Sequence, residues 1–376
     1  MGKNGITVRV DAGSADRLNE MVSLSVKPAL WFDNWQEGVS GLAVSRVNEQ
    51  GETVLNVPCQ FEPSTRQLSW LTGNMQQGES ALYQIHSTDT QEDSSKRYSI
   101  EQKASHLLIK VDGDVFTRYN HLGVWKPYFW PVNGTSGSVV RGAGGGDHPH
   151  HTGLFLSYGG HGEGGSANIW SDWDEPPYGP CGKMLHQRFV RMTEGPIYAE
   201  FVEELIYVKG NGDVFLDEKR TARAWYADSG ARFLDLSFET TPPLDIGKRQ
   251  FMLVARIAPS MKIPDEGHVE NSEGDIGRKE IHHKNALWCD FSGNVGDGVN
   301  GITFFDHPQN PEHPGFWGEI AVPSQMSLLH HPPDELPDGR MNLRFRVYVH
   351  DGLTADAQIE ERYKSYASPV TVEQID

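Results

Sequence analysis

The sequence predicts a mainly β protein organised around a large antiparallel β-sandwich. Short runs in which apolar and polar residues alternate recur along the 376 residues, while long helical periodicity is scarce. The 40 glycines and 22 prolines supply frequent turns between these runs. Because the runs show neither βαβ alternation nor a repeat of fixed period, a sandwich is favoured over a Rossmann fold, a barrel or a propeller.

Two predicted hairpins are the clearest local signals for this fold. Residues 106–119 alternate on both sides of an Asp-Gly turn, and residues 198–226 alternate around an Asn-Gly tip. Further alternating runs, each long enough for one strand, occupy residues 6–10, 21–28, 67–72, 233–240 and 343–349. Helix is expected only in short connectors and over residues 355–366.

A polar run over residues 86–97 contains no core residues and is predicted to be a linker or a long loop. We therefore predict two units. The first is a smaller N-terminal β domain or extension over residues 1–100. The second is the β-sandwich over residues 101–376, which would carry the functional site.

Composition excludes several classes of function. With 33 basic and 51 acidic residues the net charge is −18, which disfavours nucleic acids and anionic membrane surfaces as partners. The three cysteines are far apart and form no CxxC pair, so neither a disulfide framework nor a cysteine zinc site is expected. No apolar run is long enough to span a bilayer, and the first residues are polar. We expect a cytoplasmic protein, and the sequence gives no indication of its oligomeric state.

The stretch from Arg141 to His161 is the strongest candidate for a site. It combines four histidines with Asp147 in a segment rich in glycine. Glycine lets the backbone approach a ligand closely, and histidine can bind a metal or transfer a proton near neutral pH. If the segment is extended, His148 and His150 share one face and His151 lies on the other.

Two kinds of chemistry are compatible with these histidines. His148 and His150 could hold a divalent metal, with a third ligand from His186 or His307. Alternatively, one histidine acts as acid or base while another binds a hydroxyl or carboxylate group. We favour the second hypothesis, with no cofactor, and keep the divalent metal as the alternative.

Tryptophans and acids follow directly in the chain. Trp170 and Trp173 lie in a glycine-rich loop with Asp172, Asp174 and Glu175. Aromatic faces can stack on sugar rings while carboxylates bind the hydroxyl groups, so this loop suits a carbohydrate. Either tryptophan could instead serve only to pack the loop onto the protein.

Three other regions contribute polar candidates. A proline-rich loop presents Asp306, His307 and Asn310 after a short strand. Lys126 and Arg141 bring positive charge close to the histidines. Together with these two, three further arginines could pair a uronate carboxylate, namely Arg188, Arg256 and Arg346. The polar face of the last strand could line a concave sheet or face solvent, and it carries Arg344, Arg346, Tyr348 and His350.

Several motifs together resemble one known family. They are KPYFWPV at 126–132, GGDHPHHTGLFLSYG at 145–159, NIW at 168–170, KMLHQRF at 183–189, ITFFDHPQNPEHP at 302–314 and LRFRVYVHDG at 343–352. The chain is similar to a bacterial family of uncharacterised function that often carries the label PmoA, as for a methane monooxygenase subunit. That label does not suit a chain without a membrane-spanning segment.

The resemblance implies a galactose-mutarotase-like supersandwich, a fold shared by mutarotases, glycoside hydrolases and polysaccharide lyases. Such relatives act on sugar rings from a concave sheet. The polar motif positions that it carries over are Lys126, His148, His150, His151, His186, Asp306, His307 and Asn310. The resemblance supplies a site but not a reaction.

We therefore expect a carbohydrate-active enzyme whose substrate is a glycoside, oligosaccharide or uronide. A lyase or hydrolase is the first expectation, and a mutarotase or epimerase the second. The expected catalytic residues are His150, His151, His186 and His307. The expected substrate-binding residues are Lys126, Arg141, His148, Trp170, Trp173, Asp306, Asn310, Arg346 and Tyr348. The alternatives are a non-catalytic sugar-binding module and a histidine-ligated metal enzyme.

Overall fold

Antiparallel strands make up most of the described residues in the computed structural model. The structure describes residues 5–27, 32, 41–88, 96–142, 150–159, 167–172, 180–241, 251–261, 267–318, 325–331 and 340–375. No helix among these residues combines the length and the apolar character needed to cross a bilayer.

The strands in chain order are β1 Gly5–Asp11, β2 Arg17–Leu18, β3 Met21–Ser25, β4 Gly41–Val47, β5 Thr53–Val57, β6 Cys59–Glu62, β7 Gln67–Leu71, β8 Asn74–Met75, β9 Ser80–Thr88, β10 Tyr98–Gln102, β11 His106–Val111, β12 Asp114–Asn120, β13 Tyr128–Val132, β14 Leu154–Tyr158, β15 Lys183–Thr193, β16 Ala199–Val208, β17 Val214–Asp228, β18 Ala231–Thr241, β19 Phe251–Arg256, β20 His268–Asn271, β21 Lys284–Asn285, β22 Trp288–Val295, β23 Gly298–Asp306, β24 Phe316–Trp317, β25 Gln325–His330, β26 Met341–Asp351 and β27 Thr371–Gln374. The helices are α1 Arg278–Ile281 and α2 Ile359–Ala367, with 3-10 turns at Pro259–Met261 and Thr354–Asp356.

Two large sheets pack face to face to form the sandwich. One has nine strands in the order β10-β11-β12-β13-β14-β19-β25-β24-β21, and the other has eight in the order β15-β16-β17-β18-β26-β23-β22-β20. A single apolar core fills the space between them, to which Leu154, Leu253 and Val347 contribute. The predicted fold class, mainly β with a large antiparallel sandwich and a smaller N-terminal β part, is confirmed.

Both predicted hairpins are present. Strands β11 and β12 join through Asp112 and Gly113, whose φ angles of 53° and 91° are the positive values that such a tight turn requires. Strands β16 and β17 pair from Ala199 with Ala224 to Val208 with Val214. The local alternation of apolar residues was therefore a sufficient guide to these elements.

The N-terminal part has its own sheets and its own core. A five-stranded sheet runs β27-β1-β9-β4-β5, next to a three-stranded sheet β3-β7-β6 and the pair β2-β8. Trp70 and Tyr83 lie at the centre of this second core. In the described residues two strands depart from the predicted division, because β10 belongs to the nine-stranded sheet and β27 to the N-terminal one. The division at residue 100 stays a prediction.

The outer faces of the two sandwich sheets differ. On the nine-stranded sheet, Phe155, Met252 and Val254 form a separate apolar cluster, while their strand neighbours point into the main core. On the eight-stranded sheet, the polar face of β26 is covered by the segment around α2, and the Tyr348 hydroxyl donates to the carbonyl of Ala357 over 3.0 Å. Of the four side chains named for this face, Arg346, Tyr348 and His350 are buried, while Arg344 is exposed.

A buried carboxylate connects the two sheets. Asp306 at the end of β23 accepts hydrogen bonds from Asn310 Nδ2 and His313 Nδ1, each at 2.7 Å. The backbone NH of Gly315 donates to it over 2.8 Å, and His330 Nε2, on the nine-stranded sheet, lies 2.9 Å from Oδ1. Burial alone would raise the pKa of Asp306, but His313, His330 and Asn310 outweigh it and lower the pKa to about 2.

The variant Asp306→Asn should be less stable than the native chain by about 3 kcal/mol at pH 7, because it leaves buried donors without a charged partner. The depressed pKa means that the carboxylate stabilises the fold above its unfolded pKa of about 4, and that this contribution disappears as the pH falls towards 2. Urea unfolding at several pH values should show that the free energies of unfolding of the two proteins converge below pH 4. Asp217→Asn, at an exposed strand position, is the control. A constant difference across the pH range would contradict the assignment.

Candidate functional site

The outer face of the nine-stranded sheet gathers the largest group of predicted site residues. His150, His151 and Trp170 lie there against the cluster formed around Phe155. Buried polar side chains accompany them, including Lys126 at 3% exposure and Arg256 at 1%. A polar group of this kind on an apolar face is the usual composition of a small-molecule site.

The two histidines form a contacting pair. Their ring centroids lie 4.2 Å apart and edge-on, and the Trp170 ring lies 5.9 Å from His150 and 4.9 Å from His151. Residues 150–153 are not in a strand. The prediction that His151 faces away from His150 applied to an extended strand, and this segment is not one. Trp170 is 3% exposed and lies beside the pair, and its stacking on a sugar stays a prediction.

Lys126 fixes the loop that carries Trp170. Its Nζ donates to the Trp170 carbonyl over 3.0 Å and to Asp172 Oδ1 over 2.5 Å. The ammonium group also lies 5.0 Å from the centre of the Phe155 ring, a cation–π distance. The buried charge of Lys126 is thus paired, and Asp172 is 23% exposed on its other side.

Arg256 connects the histidine pair to the end of β19. Its Nη1 donates to His151 Nδ1 over 3.4 Å. Because a guanidinium cannot accept a hydrogen bond, Nδ1 is the acceptor and a neutral His151 carries its proton on Nε2. Backbone hydrogen bonds hold the three segments together, from Arg256 to Gly153 at 2.8 Å, from Gly153 to Arg141 at 2.9 Å and from Arg141 to Arg256 at 2.9 Å.

His186 lies in a different cluster. Its Nδ1 is 2.5 Å from Glu203 Oε1, and Glu203 also accepts from the hydroxyl of Tyr119. His121 packs on it with ring centroids 4.5 Å apart. Burial, and then the nearby His186 and His106, lower the pKa of His121 to about 4. The strand that carries His186 begins near Lys126. The NH of Met184 in this strand donates to the carbonyl of Trp125, the residue before Lys126.

The proline-rich loop brings Asp306 and Asn310 into one internal network. Asn310 donates to Asp306 Oδ1 and to the carbonyl of Arg344, each over 2.7 Å, and accepts from the Arg344 NH over 2.7 Å. Asp306 is 0% exposed. These contacts indicate a structural role, and the predicted contact with substrate stays a prediction.

His307 and Arg346 lie together in a fourth place, on the outer face of the eight-stranded sheet. Both line a cavity there with Tyr366. Arg346 is paired with Asp235 over 2.6 Å and with Glu20 over 3.3 Å. The structure therefore divides the predicted residues among four places: the histidine pair, the His186 cluster, the internal network of Asp306 and Asn310, and the cavity of His307 and Arg346.

Six residues named from the sequence lie outside the described residues, namely Asp147, His148, His161, Trp173, Asp174 and Glu175. Among the described residues no group of three His, Cys, Asp or Glu side chains could hold a metal. The metal alternative needs His148, so it stays a prediction.

Sequence reasoning missed several residues that the structure brings to these places. His330 lies inside the sandwich on a strand of otherwise apolar inward residues, Met326 and Leu328. A histidine on such a face was the available signal for a buried partner of a carboxylate. Tyr366 and Glu20 had no signal, because their proximity arises only from tertiary packing.

Comparison with known proteins places the chain in a family. The model of a family of unknown function (DUF6807) matches residues 106–364, and the chain belongs to this family. The resemblance to a family of uncharacterised function is confirmed at this level. No curated protein matches the chain.

Solved structures agree with the fold. A protein in glycosyl hydrolase family 38 from Enterococcus faecalis aligns with a TM-score of 0.50 and 8% sequence identity. The alignment covers 100% of this chain and 48% of that protein, so the chain spans about half the length of the structure that it matches. At this identity the likeness shows the fold alone.

The variant Gly153→Ala should lower the free energy of unfolding by about 2 kcal/mol or more, because two penalties add. Gly153 has φ of +60°, and an added Cβ would lie 2.1 Å from the carbonyl oxygen of Phe129. Gly73→Ala is the matched control, since Gly73 has φ of +73° but nothing within 4 Å of its added Cβ. Chemical denaturation compares the two variants. Equal losses of unfolding free energy in the two variants would show that the close packing at Gly153 does not contribute to stability.

Proposed function

We propose that this chain is a carbohydrate-active enzyme that uses His150 and His151 for acid–base chemistry on an acidic sugar. One observation carries the proposal: two contacting histidines lie beside Lys126 and Arg256 on the outer face of the nine-stranded sheet. The fold resemblance to a protein described as a glycosyl hydrolase family 38 member supports a carbohydrate-related role.

The charges favour a substrate with a carboxylate. Lys126 and Arg256 are both buried, and Asp172 is the described carboxylate paired with Lys126. A cationic group beside a substrate carboxylate stabilises the negative charge that develops when the neighbouring C–H bond loses its proton. Two buried cations beside the histidine pair, in a chain whose net charge is −18, are consistent with a uronide.

The expected reaction is a β-elimination. A base removes the proton from C5 of the uronate, the electron pair forms the C4=C5 double bond, and the C4–O bond breaks. A proton donated to the leaving oxygen completes the step, so no co-reactant is needed. The Arg256 contact leaves His151 with a proton on Nε2, which suits it to donate or to bind the carboxylate, and His150 is then the base.

Hydrolysis and epimerisation remain open outcomes for the same residues. A hydrolase would use two carboxylates at a defined separation. An epimerase would return the proton to the other face of C5 without breaking the C4–O bond. Product analysis separates these reactions from elimination.

His150→Ala and His151→Ala should each lower kcat by about 100-fold or more, since positioned acid–base groups contribute factors of this size. The native chain is incubated with uronate oligosaccharides and neutral glycosides, and unsaturated products, reducing ends and C5 proton exchange are followed. His268→Ala, on β20 of the other sheet, is the control. If native protein binds these sugars without any turnover, and both variants bind equally well, the chain is a sugar-binding module instead.

Arg256→Gln should lower kcat/KM on uronides by about tenfold or more, because charged hydrogen bonds contribute about 1.5–3 kcal/mol. On neutral glycosides the change should be small. Steady-state kinetics on matched substrates, such as a glucuronide and the corresponding glucoside, measures the difference. An equal loss on both would mean that Arg256 acts only by holding His151.

A further inference from the structure

A second site lies on the opposite side of the molecule from the histidine pair. A cavity of about 300 Å³ opens between the outer face of the eight-stranded sheet, the N-terminal part and the C-terminal helix. Arg346 and Arg344 come from β26, Glu20 from the segment before β3, and Tyr366 from α2. This volume is at the lower end of the range for small-molecule sites, about 300–1,000 Å³.

Two buried polar atoms in the cavity wall have no hydrogen-bond partner among the described residues. They are the Tyr366 hydroxyl and Glu20 Oε1. Glu20 is 5% exposed, and the nearest cation to Oε1 is Arg362 at 3.8 Å. Since buried polar groups in proteins nearly always have partners, these two atoms point to a ligand with hydroxyl groups.

His307 adds a directed donor. Its Nδ1 accepts from the backbone NH of Gln309 over 3.1 Å, which leaves the proton of the neutral ring on Nε2. Burial, and then the charge of Arg344, lower the pKa of His307 to about 4, so the ring is neutral at pH 7. The ring packs edge-on against Tyr366 at 5.1 Å. The wall therefore holds both donors and acceptors, which a polyhydroxylated ligand requires.

The cavity also has an excess of positive charge. Four arginines and three carboxylates line it, in a chain whose net charge is −18. Arg346 is paired with Asp235 and Arg223 with Glu200. Arg17 donates to backbone carbonyls. Arg344 contacts the neutral Gln309 over 2.5 Å, which makes its charge the one best placed for an anion.

We propose that this cavity binds a small hydroxylated anion of the size of one sugar ring, a monosaccharide acid, with its carboxylate on Arg344 and its hydroxyls on Tyr366, Glu20 and His307. The site is argued from its own residues and does not depend on the reaction at the histidine pair. Because three parts of the chain meet at the cavity, the bound ligand also stabilises their packing.

The test is calorimetric titration of the full chain with D-glucuronate, D-glucose and inorganic phosphate. Glucuronate should bind at least tenfold more tightly than either of the other two. Arg344→Gln should weaken glucuronate binding about tenfold, and Tyr366→Phe about fivefold. Glucuronate should raise the melting temperature of the native chain and have less effect on both variants.

His150→Ala distinguishes the two sites, because it should retain the glucuronate binding that Arg344→Gln weakens. Ser237→Leu, which adds bulk on the cavity floor, should abolish binding even if the polar variants prove unstable. Glucuronate binding that is lost in His150→Ala but unchanged in Arg344→Gln and Ser237→Leu would overturn the proposal. So would equal affinity for phosphate, or the absence of binding in a native chain that still turns over uronides.

Discussion

The sandwich depends on a carboxylate that both of its sheets need. Asp306 lies on one sheet and His330 on the other, and the loop between β23 and β24 is held to the same two oxygens through Asn310, His313 and Gly315. A buried carboxylate is costly unless its oxygen lone pairs accept hydrogen bonds. Both oxygens of Asp306 have such partners. These hydrogen bonds hold the proline-rich loop in place, and His307 in this loop lies on the outer face of the eight-stranded sheet.

Each large sheet packs one face against the common core. The two sheets differ in the segments that cover their outer faces. The nine-stranded sheet is covered by the loop of Trp170 and the histidine pair. The eight-stranded sheet is covered by α2 and the segment before β3, between which the arginine-lined cavity remains. The outer face of each sheet carries apolar side chains that must be covered. The covering segments also bury the polar residues of the histidine pair and of the arginine-lined cavity.

The sequence predicted the fold well because strand alternation and turn chemistry are local properties. The hairpins at Asp112 and Asn211 and the face of Leu343 followed from them directly. The site could be predicted only in part. Motif residues identified His150, His151 and Lys126, but a coil segment has no fixed alternation, so the face of His151 could not be inferred. The partition of His186, His307 and Arg346 into other places depends on contacts between strands far apart in the chain.

Strand β27 gives the chain an unusual connectivity. Its residues pair with β1, from Val8 with Gln374 to Asp11 with Thr371. The chain thus leaves the N-terminal sheet after β9 and returns to it after α2, so the sandwich is an insertion between two strands of another sheet. Two connections, instead of one, restrict how far such units can rotate against each other. The insertion also means that β1 and β27, which are far apart in the sequence, are neighbours in one sheet.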